Sequence, residues 1–565
     1  MKDDRYDLKS VKLPRLTGTP LRILTALLEY PITRGLLIDK LMRDAGVTYF
    51  RELHVDEPPT PFSSLTFAQE ESRPQAAIDL HAFAKGKDPV KGFVYATVRD
   101  YAEAYQAGTT TPEAIAERII GAIKESDAGD PPLLAFIAYQ SDDIRAQAQA
   151  STRRFRDGRP LGLFDGVPVA VKDEVDQVPY PTTVGTRFLG KVPAREDATV
   201  VARMRAAGAL LIGKTNMHEI GIGVTGLNPH HGTPRNPYDH AHFTGGSSSG
   251  SAAAVAAGIC PVAIGADGGG SIRIPAAFCG VIGLKPTFSR VSEFGAAPLD
   301  WSVAHLGPIA ATARDAAMAY ALMAGPDPKD PLSVKQPRVT LEGFDDLDLK
   351  SLKLGVYWPW FRHATPGVVE QCESMLKRFE ELGAEIIEIE LPGLEAARIA
   401  HVITISSEML AGMEPYYAMH QKEFGLDVRI NLALAHAFSS RDYIKAQRIR
   451  TRLIESFSNA LKLADAIVTP TTGCVAPSIK SDALPDGESD LSVLIEIMRF
   501  ANPANFTGLP AITFPAGYDQ GLPVGFQVMG RPWEEHVLLR LAHAAAQVVE
   551  RKAPHVHFNI LSDIS

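Results

Sequence analysis

The 565-residue sequence has few cysteines and lacks the long apolar runs of a membrane span. Cys260, Cys279, Cys372 and Cys474 show neither a CxxC spacing nor a paired framework, so we expect free thiols in a reducing compartment. Nowhere do 18 apolar residues follow one another, and the first residues lack the apolar segment of a signal peptide. We therefore expect a cytoplasmic protein that stays in solution or lies on a membrane without crossing it.

Basic stretches and metal-binding clusters are also scarce. The formal net charge is −9, with 57 Lys and Arg against 66 Asp and Glu, so no basic stripe can neutralise the phosphates of a nucleic acid. No further His/Glu pair at helical spacing completes a metal site with His218-Glu219 or His230-His231. We expect no nucleic-acid partner, metal or other cofactor, and we interpret these two pairs as capping or loop-surface residues.

Glycine and serine are abundant in two stretches that lie close together in the sequence. Residues 265–273 read GADGGGSIR, and residues 244–250 read TGGSSSG. The three glycines before Ser271 leave a turn without Cβ atoms, so backbone N–H groups can gather round one oxygen atom beside the serine hydroxyl. This pattern is typical of a nucleophile with an oxyanion hole. The expected donors are the N–H groups of Gly268, Gly269, Gly270 and Ser271.

A lysine follows an apolar run that predicts a buried strand. Residues 166–172 read GVPVAVK and end in Lys172. At the surface such a side chain would extend into solvent. Desolvation at the end of a buried strand would instead favour the uncharged amine, which can act as a base. Lys172, Ser247 and Ser271 would then form a proton chain.

Together these elements resemble the amidase signature family. Its hallmark is a serine, a second serine after a cis peptide bond and a lysine, set in a GGSS-rich segment and a G-x-D-x-G-G-S-[IV]-R segment. The separations agree, since Ser247 lies 75 residues after Lys172 and 24 residues before Ser271. The resemblance implies acyl transfer in which Lys172 takes the proton of Ser247, Ser247 takes that of Ser271, and Ser271 attacks an amide carbonyl.

The resemblance also assigns supporting roles to residues near the two serines. It implies a cis peptide bond between Gly246 and Ser247, and a hydrogen-bonding helper role for Ser248. Asp267 and Arg273 carry opposite charges on either side of the tight turn, which favours a buried pair that holds the loop. The family pattern gives them the same bracing role.

From about residue 90, predicted strands and helices alternate along the chain. Residues 111–123 read as a helix, 133–139 and 209–213 as strands, and 198–207 as a helix between buried strands. This alternation predicts an α/β fold: a single large domain whose mixed, mostly parallel central sheet is covered by helices on both faces. The resemblance implies the same amidase signature fold, over about residues 90 to 550.

The N-terminal residues differ from the rest. Residues 21–30 and 36–42 read as two short amphipathic helices. Their apolar faces must pack on the main domain, on a second subunit, or beside a lipid entrance as a lid. We therefore predict an arm over residues 1–60, a proline-rich linker over 61–90 and the amidase domain over 91–565.

The arm and two later segments, residues 238–250 and 531–533, are similar to plant-type fatty acid amide hydrolases. That resemblance implies hydrolysis of N-acylethanolamines and related acyl amides, a homodimer and peripheral membrane contact. It places Ile222 and Val224 beside the acyl channel and Gly221 near the scissile group, although Val224 departs from the plant pattern. A small-amide or aryl-amide amidase and the glutaminase subunit of a transamidation complex are the alternatives.

Overall fold

The computed structural model describes residues 6–11, 13–62 and 78–561. The strands of this part of the chain are β1 (Leu16–Thr17), β2 (Lys91–Gly92), β3 (Phe136–Ala138), β4 (Pro168–Lys172), β5 (Leu210–Thr215), β6 (Arg235–Asn236), β7 (Asp239–Phe243), β8 (Val262–Ala266), β9 (Ile282–Lys285), β10 (Leu306–Ala310), β11 (Lys353–Val356), β12 (Glu385–Glu388), β13 (Ala466–Pro470), β14 (Glu488–Ser489), β15 (Ala511–Asp519), β16 (Leu522–Gly530) and β17 (Glu550–Arg551).

Helices surround these strands. They are α1 (Gly18–Glu29), α2 (Pro31–Asp44), α3 (Val47–Glu52), α4 (Leu80–Ala84), α5 (Val98–Ala107), α6 (Pro112–Ala128), α7 (Ser141–Arg156), α8 (Thr199–Ala206), α9 (Ser249–Ala256), α10 (Arg273–Phe278), α11 (Ala313–Met323), α12 (Trp358–Phe361), α13 (Pro366–Glu381), α14 (Leu394–His420), α15 (Leu426–Ala435), α16 (Ser440–Leu463), α17 (Leu491–Met498), α18 (Asn502–Thr507) and α19 (Glu535–Ala546). No helix of the described residues is both long and apolar enough to cross a bilayer.

The centre of the fold is an 11-stranded sheet in the order β12-β11-β13-β16-β15-β9-β10-β8-β4-β5-β3. Successive residues of its strands belong to two different apolar cores. Val468 and Ile512 lie in the core that contains α11, α13 and α19, whereas their neighbours Ile467 and Ala511 lie in the core that contains α14, α16 and the arm. Because side chains alternate along a strand, helices cover both faces of the sheet, as predicted.

The mixed character of the sheet is confirmed, but parallel pairing does not predominate. Four pairings are parallel, β12-β11, β11-β13, β8-β4 and β4-β5. The other six neighbours in this sheet pair antiparallel. One reason is the hairpin of β15 and β16, whose two linking residues, Gln520 and Gly521, both have positive φ. Such a tight connection joins only antiparallel strands.

The arm contains the two predicted helices, α1 and α2, and a third, α3, that the sequence did not predict. Gly46, with a φ of +84°, follows the end of α2 and is the N-cap of α3. Leu21 and Phe50 are fully buried in the core that also contains residues of α14 and α16, called the second core below. Glu29 accepts hydrogen bonds of 2.6 and 2.7 Å from Arg429 on α15. The arm therefore packs on α14 and α15 of its own chain.

Residues 63–77, which make up much of the predicted linker, lie outside the described residues. Near its end the predicted linker, residues 61–90, contains a helix, because α4 begins at Leu80 with Asp79 as its N-cap. Asp79 accepts a hydrogen bond of 3.0 Å from the backbone N–H of Ala82, as an N-cap side chain does.

The docking of the arm can be tested at two neighbouring residues of α3. Phe50 is fully buried, whereas 41% of Tyr49 is exposed. Replacing Phe50 with alanine leaves a cavity in the second core and should lower the free energy of unfolding by about 3–5 kcal/mol. Tyr49→Ala should cost less than about 1 kcal/mol. Urea unfolding followed by tryptophan fluorescence measures both, and equal losses would contradict this packing.

Candidate active site

Two adjacent strands bring the candidate residues together. β4 ends at Lys172, and β8 ends at Ala266, directly before the glycine-rich loop. The two strands are neighbours in the sheet and run parallel, so their carboxyl ends lie at the same edge. The serine-rich stretch precedes α9, which packs on both strands. The fold therefore places the lysine and both loops at one edge of the sheet.

Lys172 contacts the first serine directly. Its Nζ donates to the Oγ of Ser247 at 2.8 Å and to the carbonyl of Ala266 at 3.2 Å. Lys172 is 1% exposed, Ser247 2% and Ser271 6%. The peptide bond between Gly246 and Ser247 is cis, as the resemblance implied. This arrangement suits proton exchange between the amine and the Ser247 hydroxyl.

Ser271 is held next to this pair by the backbone. The N–H of Ser248 donates to the carbonyl of Ser271 at 3.2 Å, which ties the serine-rich stretch to the glycine-rich loop. The carbonyl of Ser247 accepts from the N–H of His218 at 3.1 Å. A direct hydrogen bond between the two hydroxyls, on Ser247 and Ser271, remains a prediction.

Asp267 and Arg273 form the expected buried pair. Arg273 donates to both oxygens of Asp267 at 3.0 Å, and further to Ala501, Asn505 and Gln527. Burial alone would raise the pKa of Asp267, but the Arg273 guanidinium holds this pKa well below its usual range. The carboxylate is therefore ionised at the base of the loop, as a bracing role requires.

The same carboxylate corrects the expected oxyanion hole. The N–H of Gly270 donates to Asp267 Oδ1 at 2.6 Å, so it is not free to bind a substrate oxygen. Gly270 has a φ of +119°, a backbone conformation that favours glycine. The N–H groups of Gly268, Gly269 and Ser271 have no acceptor in the described part of the chain. They are the donors that remain for an oxyanion.

Ser248 donates a hydrogen bond, as its predicted helper role requires, but to the sheet and not into the cavity. Its Oγ donates to the carbonyl of Ala266 at 3.1 Å and accepts from the N–H of the same residue at 3.3 Å. It does not line the cavity beside Ser271. Because both bonds involve the end of β8, the hydroxyl fixes the loop to the sheet and does not face a substrate.

His401 is a site residue that the sequence pattern did not indicate. Its Nε2 lies 2.8 Å from the carbonyl of Gly268, and its ring lines the cavity. Burial lowers the pKa of His401 to about 4, although the Gly268 carbonyl acts in the opposite direction. The ring is thus neutral near pH 7 and donates its Nε2–H to the loop. His401 follows Gly268 by 133 residues, so no local pattern indicates the contact.

Glu174 is a second residue absent from the predicted site. Its Oε2 lies 2.7 Å from Lys172 Nζ, and both side chains are buried. The prediction of an uncharged amine did not include this carboxylate. Strand alternation does not indicate this contact, because β4 ends at Lys172 and the chain then turns, with the N–H of Val175 donating to the Lys172 carbonyl at 3.1 Å.

The polar pairs first interpreted as loop surface are more buried than expected. Glu219 is fully buried and accepts from His230 Nε2 at 2.8 Å and from the N–H of Gly425 at 2.8 Å. His218 is also buried, with its Nε2 3.0 Å from Asp427 Oδ2. Packing of α15 over this loop explains the difference. His230 and His231 are half-buried.

A cavity of about 510 Å³ connects Ser271 with the arm. Near the serine its wall contains Gly269 and the three residues predicted beside the acyl channel and scissile group, Gly221, Ile222 and Val224. Further away its wall is mostly aliphatic, with contributions from the arm, α14, α15 and α17. These residues include Leu13, Leu16, Leu24, Leu37, Leu41, Ile405, Met409, Ile430, Leu434, Leu491, Leu494 and Met498.

Comparisons with known proteins agree with this geometry. A family profile described as Amidase matches residues 119–539. The chain is 40% identical to a fatty acid amide hydrolase of Arabidopsis thaliana, over 99% of this chain and 97% of the relative. It is 35% identical to a glutamyl-tRNA(Gln) amidotransferase component of Symbiobacterium thermophilum, over 79% of this chain and 95% of the relative. The native peptide amidase of Stenotrophomonas maltophilia superposes with a TM-score of 0.71 and 32% identity, over 82% of this chain and 99% of that chain.

The matched residues 119–539 include the lysine strand, the serine-rich stretch and the glycine-rich loop. The chain therefore belongs to the amidase signature family and is an amide hydrolase.

Proposed function

We propose that this enzyme hydrolyses amides of long-chain fatty acids, N-acylethanolamines among them. The observation that carries the proposal is the largely aliphatic cavity that leads from Ser271 to the arm. A cavity of about 510 Å³ is in the range of small-molecule sites, and its leucine-rich wall suits an alkyl chain. Each methylene that leaves water there contributes about 0.8 kcal/mol.

The full-length relatives favour the same substrate class. The similarity to the plant fatty acid amide hydrolase covers 99% of this chain and so includes the arm, whose residues line the cavity. The similarity to the amidotransferase covers 79%. A glutaminase site has no evident use for an aliphatic wall of this length, so the transamidation alternative is the weaker one.

The proposed reaction uses Ser271 as the nucleophile. Its Oγ attacks the amide carbonyl while its proton passes to Ser247 and the proton of Ser247 passes to Lys172. The N–H groups of Gly269 and Ser271, with that of Gly268, would stabilise the oxyanion. Return of the proton to the leaving amine gives an acyl-enzyme, and a water molecule then releases the fatty acid and restores the serine.

The role of Ser271 as the nucleophile can be tested by comparing alanine variants of Ser271 and Ser249, two serines at the same edge of the sheet. Ser271→Ala should abolish labelling by a fluorophosphonate and lower kcat by about four orders of magnitude or more. Ser249→Ala is the matched control, since its Oγ only donates to the Asn216 carbonyl at 3.3 Å. It should retain labelling and most of the activity. Intact-mass spectrometry and initial rates measure both, and labelling of Ser271→Ala would refute the assignment.

The acyl site can be tested with an N-acylethanolamine series from 8 to 18 carbons. For the wild type, kcat/KM should rise roughly fourfold per methylene until the cavity is filled. Leu24 of α1 lines the cavity, whereas Leu27 of the same helix is 38% exposed and does not. Leu24→Trp should lower kcat/KM for the 16-carbon N-acylethanolamine by about tenfold or more, because the indole occupies the distal cavity. The kcat/KM for the 8-carbon substrate should stay unchanged.

Leu27→Trp is the control and should leave the whole series unchanged when the assay contains detergent. A wild type that cleaves only the shortest amides would refute the fatty-amide proposal. Equal effects of the two tryptophans would refute the placement of the acyl chain under α1.

We further propose that the outer face of the arm contacts a membrane surface. Ile23 is 54% exposed and Ile32 is 80% exposed, while the inner residues of the same helices line the cavity. Exposed apolar side chains beside a lipid entrance favour interfacial binding. A homodimer that buries the same face is the alternative.

The double variant Ile23→Asp, Ile32→Asp should lose co-sedimentation with phosphatidylcholine vesicles and keep the wild-type kcat on a water-soluble amide. Ile444→Asp, at a 48% exposed residue of α16, is the control and should still bind. Light scattering of the same proteins distinguishes the alternative, because a change from dimer to monomer in the double variant would assign the face to a second subunit.

A further inference from the structure

We infer that Glu174 is a positioning residue that acts through Lys172: its carboxylate stabilises the ammonium form of Lys172 and thereby sets the pH range in which this lysine accepts a proton from Ser247. The inference rests on the proposed roles of Lys172, Ser247 and Ser271. It adds to them a residue outside the proton chain that determines when the chain operates.

The geometry places the carboxylate beside both members of the lysine–serine pair. Lys172 Nζ lies 2.7 Å from Glu174 Oε2 and 2.8 Å from Ser247 Oγ. A Cβ at Gly221 would lie 3.8 Å from the same carboxylate oxygen and 3.6 Å from Ser247 Oγ. The backbone of Glu174 is fixed, because its carbonyl accepts from the N–H of Ala297 at 2.7 Å. The carboxylate thus lies beside the lysine and serine that would exchange a proton.

Other acidic side chains surround this pair. Burial and repulsion from Glu174 and Glu408 raise the pKa of Asp300 well above its usual range. Burial and repulsion from Asp300 and Asp330 do the same to the pKa of Glu293. Both shifts favour the uncharged forms of Asp300 and Glu293.

Two further carboxylates are engaged elsewhere. Glu408 accepts from the N–H and Oγ of Ser302 at 2.9 and 2.6 Å and from Tyr443 at 2.8 Å. Asp267 is paired with Arg273. Of the described carboxylates, the one in contact with the Lys172 amine is thus that of Glu174.

The sign of the effect follows from burial. An ammonium group without water is disfavoured, and an opposite charge at contact distance restores it. Removing the charge of Glu174 while keeping its shape leaves the ammonium without this compensation, so the amine gives up its proton at lower pH. Since the uncharged amine is the proposed base, the acidic limb of the pH–rate profile should move to lower pH.

The test compares three substitutions by the pH dependence of fluorophosphonate labelling at Ser271, with hydrolysis of a lauric acid p-nitroanilide as the second readout. Glu174→Gln keeps the size of the side chain and removes its charge. Glu174→Asp keeps the charge and withdraws it by one methylene. Glu293→Gln is the matched control, because it makes the same exchange at a nearby carboxyl that forms no ion pair with Lys172 in the described part of the chain.

In Glu174→Gln the pH of half-maximal labelling should fall by about one unit or more. Glu174→Asp should shift it in the same direction by less, and Glu293→Gln should leave it where it is. A purely structural role would lower the plateau of Glu174→Gln without moving the limb, and that result overturns the inference. If the glutamine variant does not fold, an unmoved limb in Glu174→Asp overturns it equally.

The role of Glu174 can be refuted independently of the fatty-amide function and of the nucleophile. The fluorophosphonate reads the activation of Ser271 without regard to acyl-chain length, so loss of the fatty-amide preference leaves this test intact. Labelling that persists in Ser271→Ala refutes the proposed nucleophile, whereas an unmoved limb with intact Ser271 labelling refutes the role of Glu174 alone.

Discussion

The ion pair between Asp267 and Arg273 supports every other part of the site. Both side chains are fully buried, so each charge depends on the other and on the surrounding hydrogen bonds. Arg273 reaches Ala501, Asn505 and Gln527, while Asp267 receives the N–H groups of Gly270 and Ile272. The pair therefore joins the glycine-rich loop to α18 and β16. Without this pair, the loop that carries Ser271 would not be held in a fixed position relative to α18 and β16.

The substrate cavity is built between the catalytic sheet edge and the arm. The reacting end is formed by the loops after β5 and β8, where the backbone can approach a carbonyl closely. The distal end is formed by helices, whose aliphatic residues provide area without polar groups. The two ends thus offer different properties of the chain: backbone N–H groups at one end and apolar surface at the other.

The sequence indicates the parts of the site that depend on local pattern. Lys172, Ser247 and Ser271 lie where the strand ends and glycine-rich turns predict them, since adjacent parallel strands share one edge. Contacts made by side chains that fold back, or that come from distant helices, carry no such pattern. The engagement of Gly270 by Asp267 and the approach of His401 belong to this class, as does the predominance of antiparallel pairs in the sheet. Glu174 belongs to this class as well, because it lies in the turn after β4, where strand alternation no longer applies.

Helix α14 has a consequence for how this enzyme can change. Its residues His401 and Ile405 are one turn apart on the same face; the first holds the carbonyl of Gly268 and the second lines the aliphatic wall. A rigid helix transmits any displacement along its length. Substitutions that move α14 to fit a bulkier acyl group therefore also displace the glycine-rich loop. Acyl-group preference and reaction rate should consequently change together in variants of this chain.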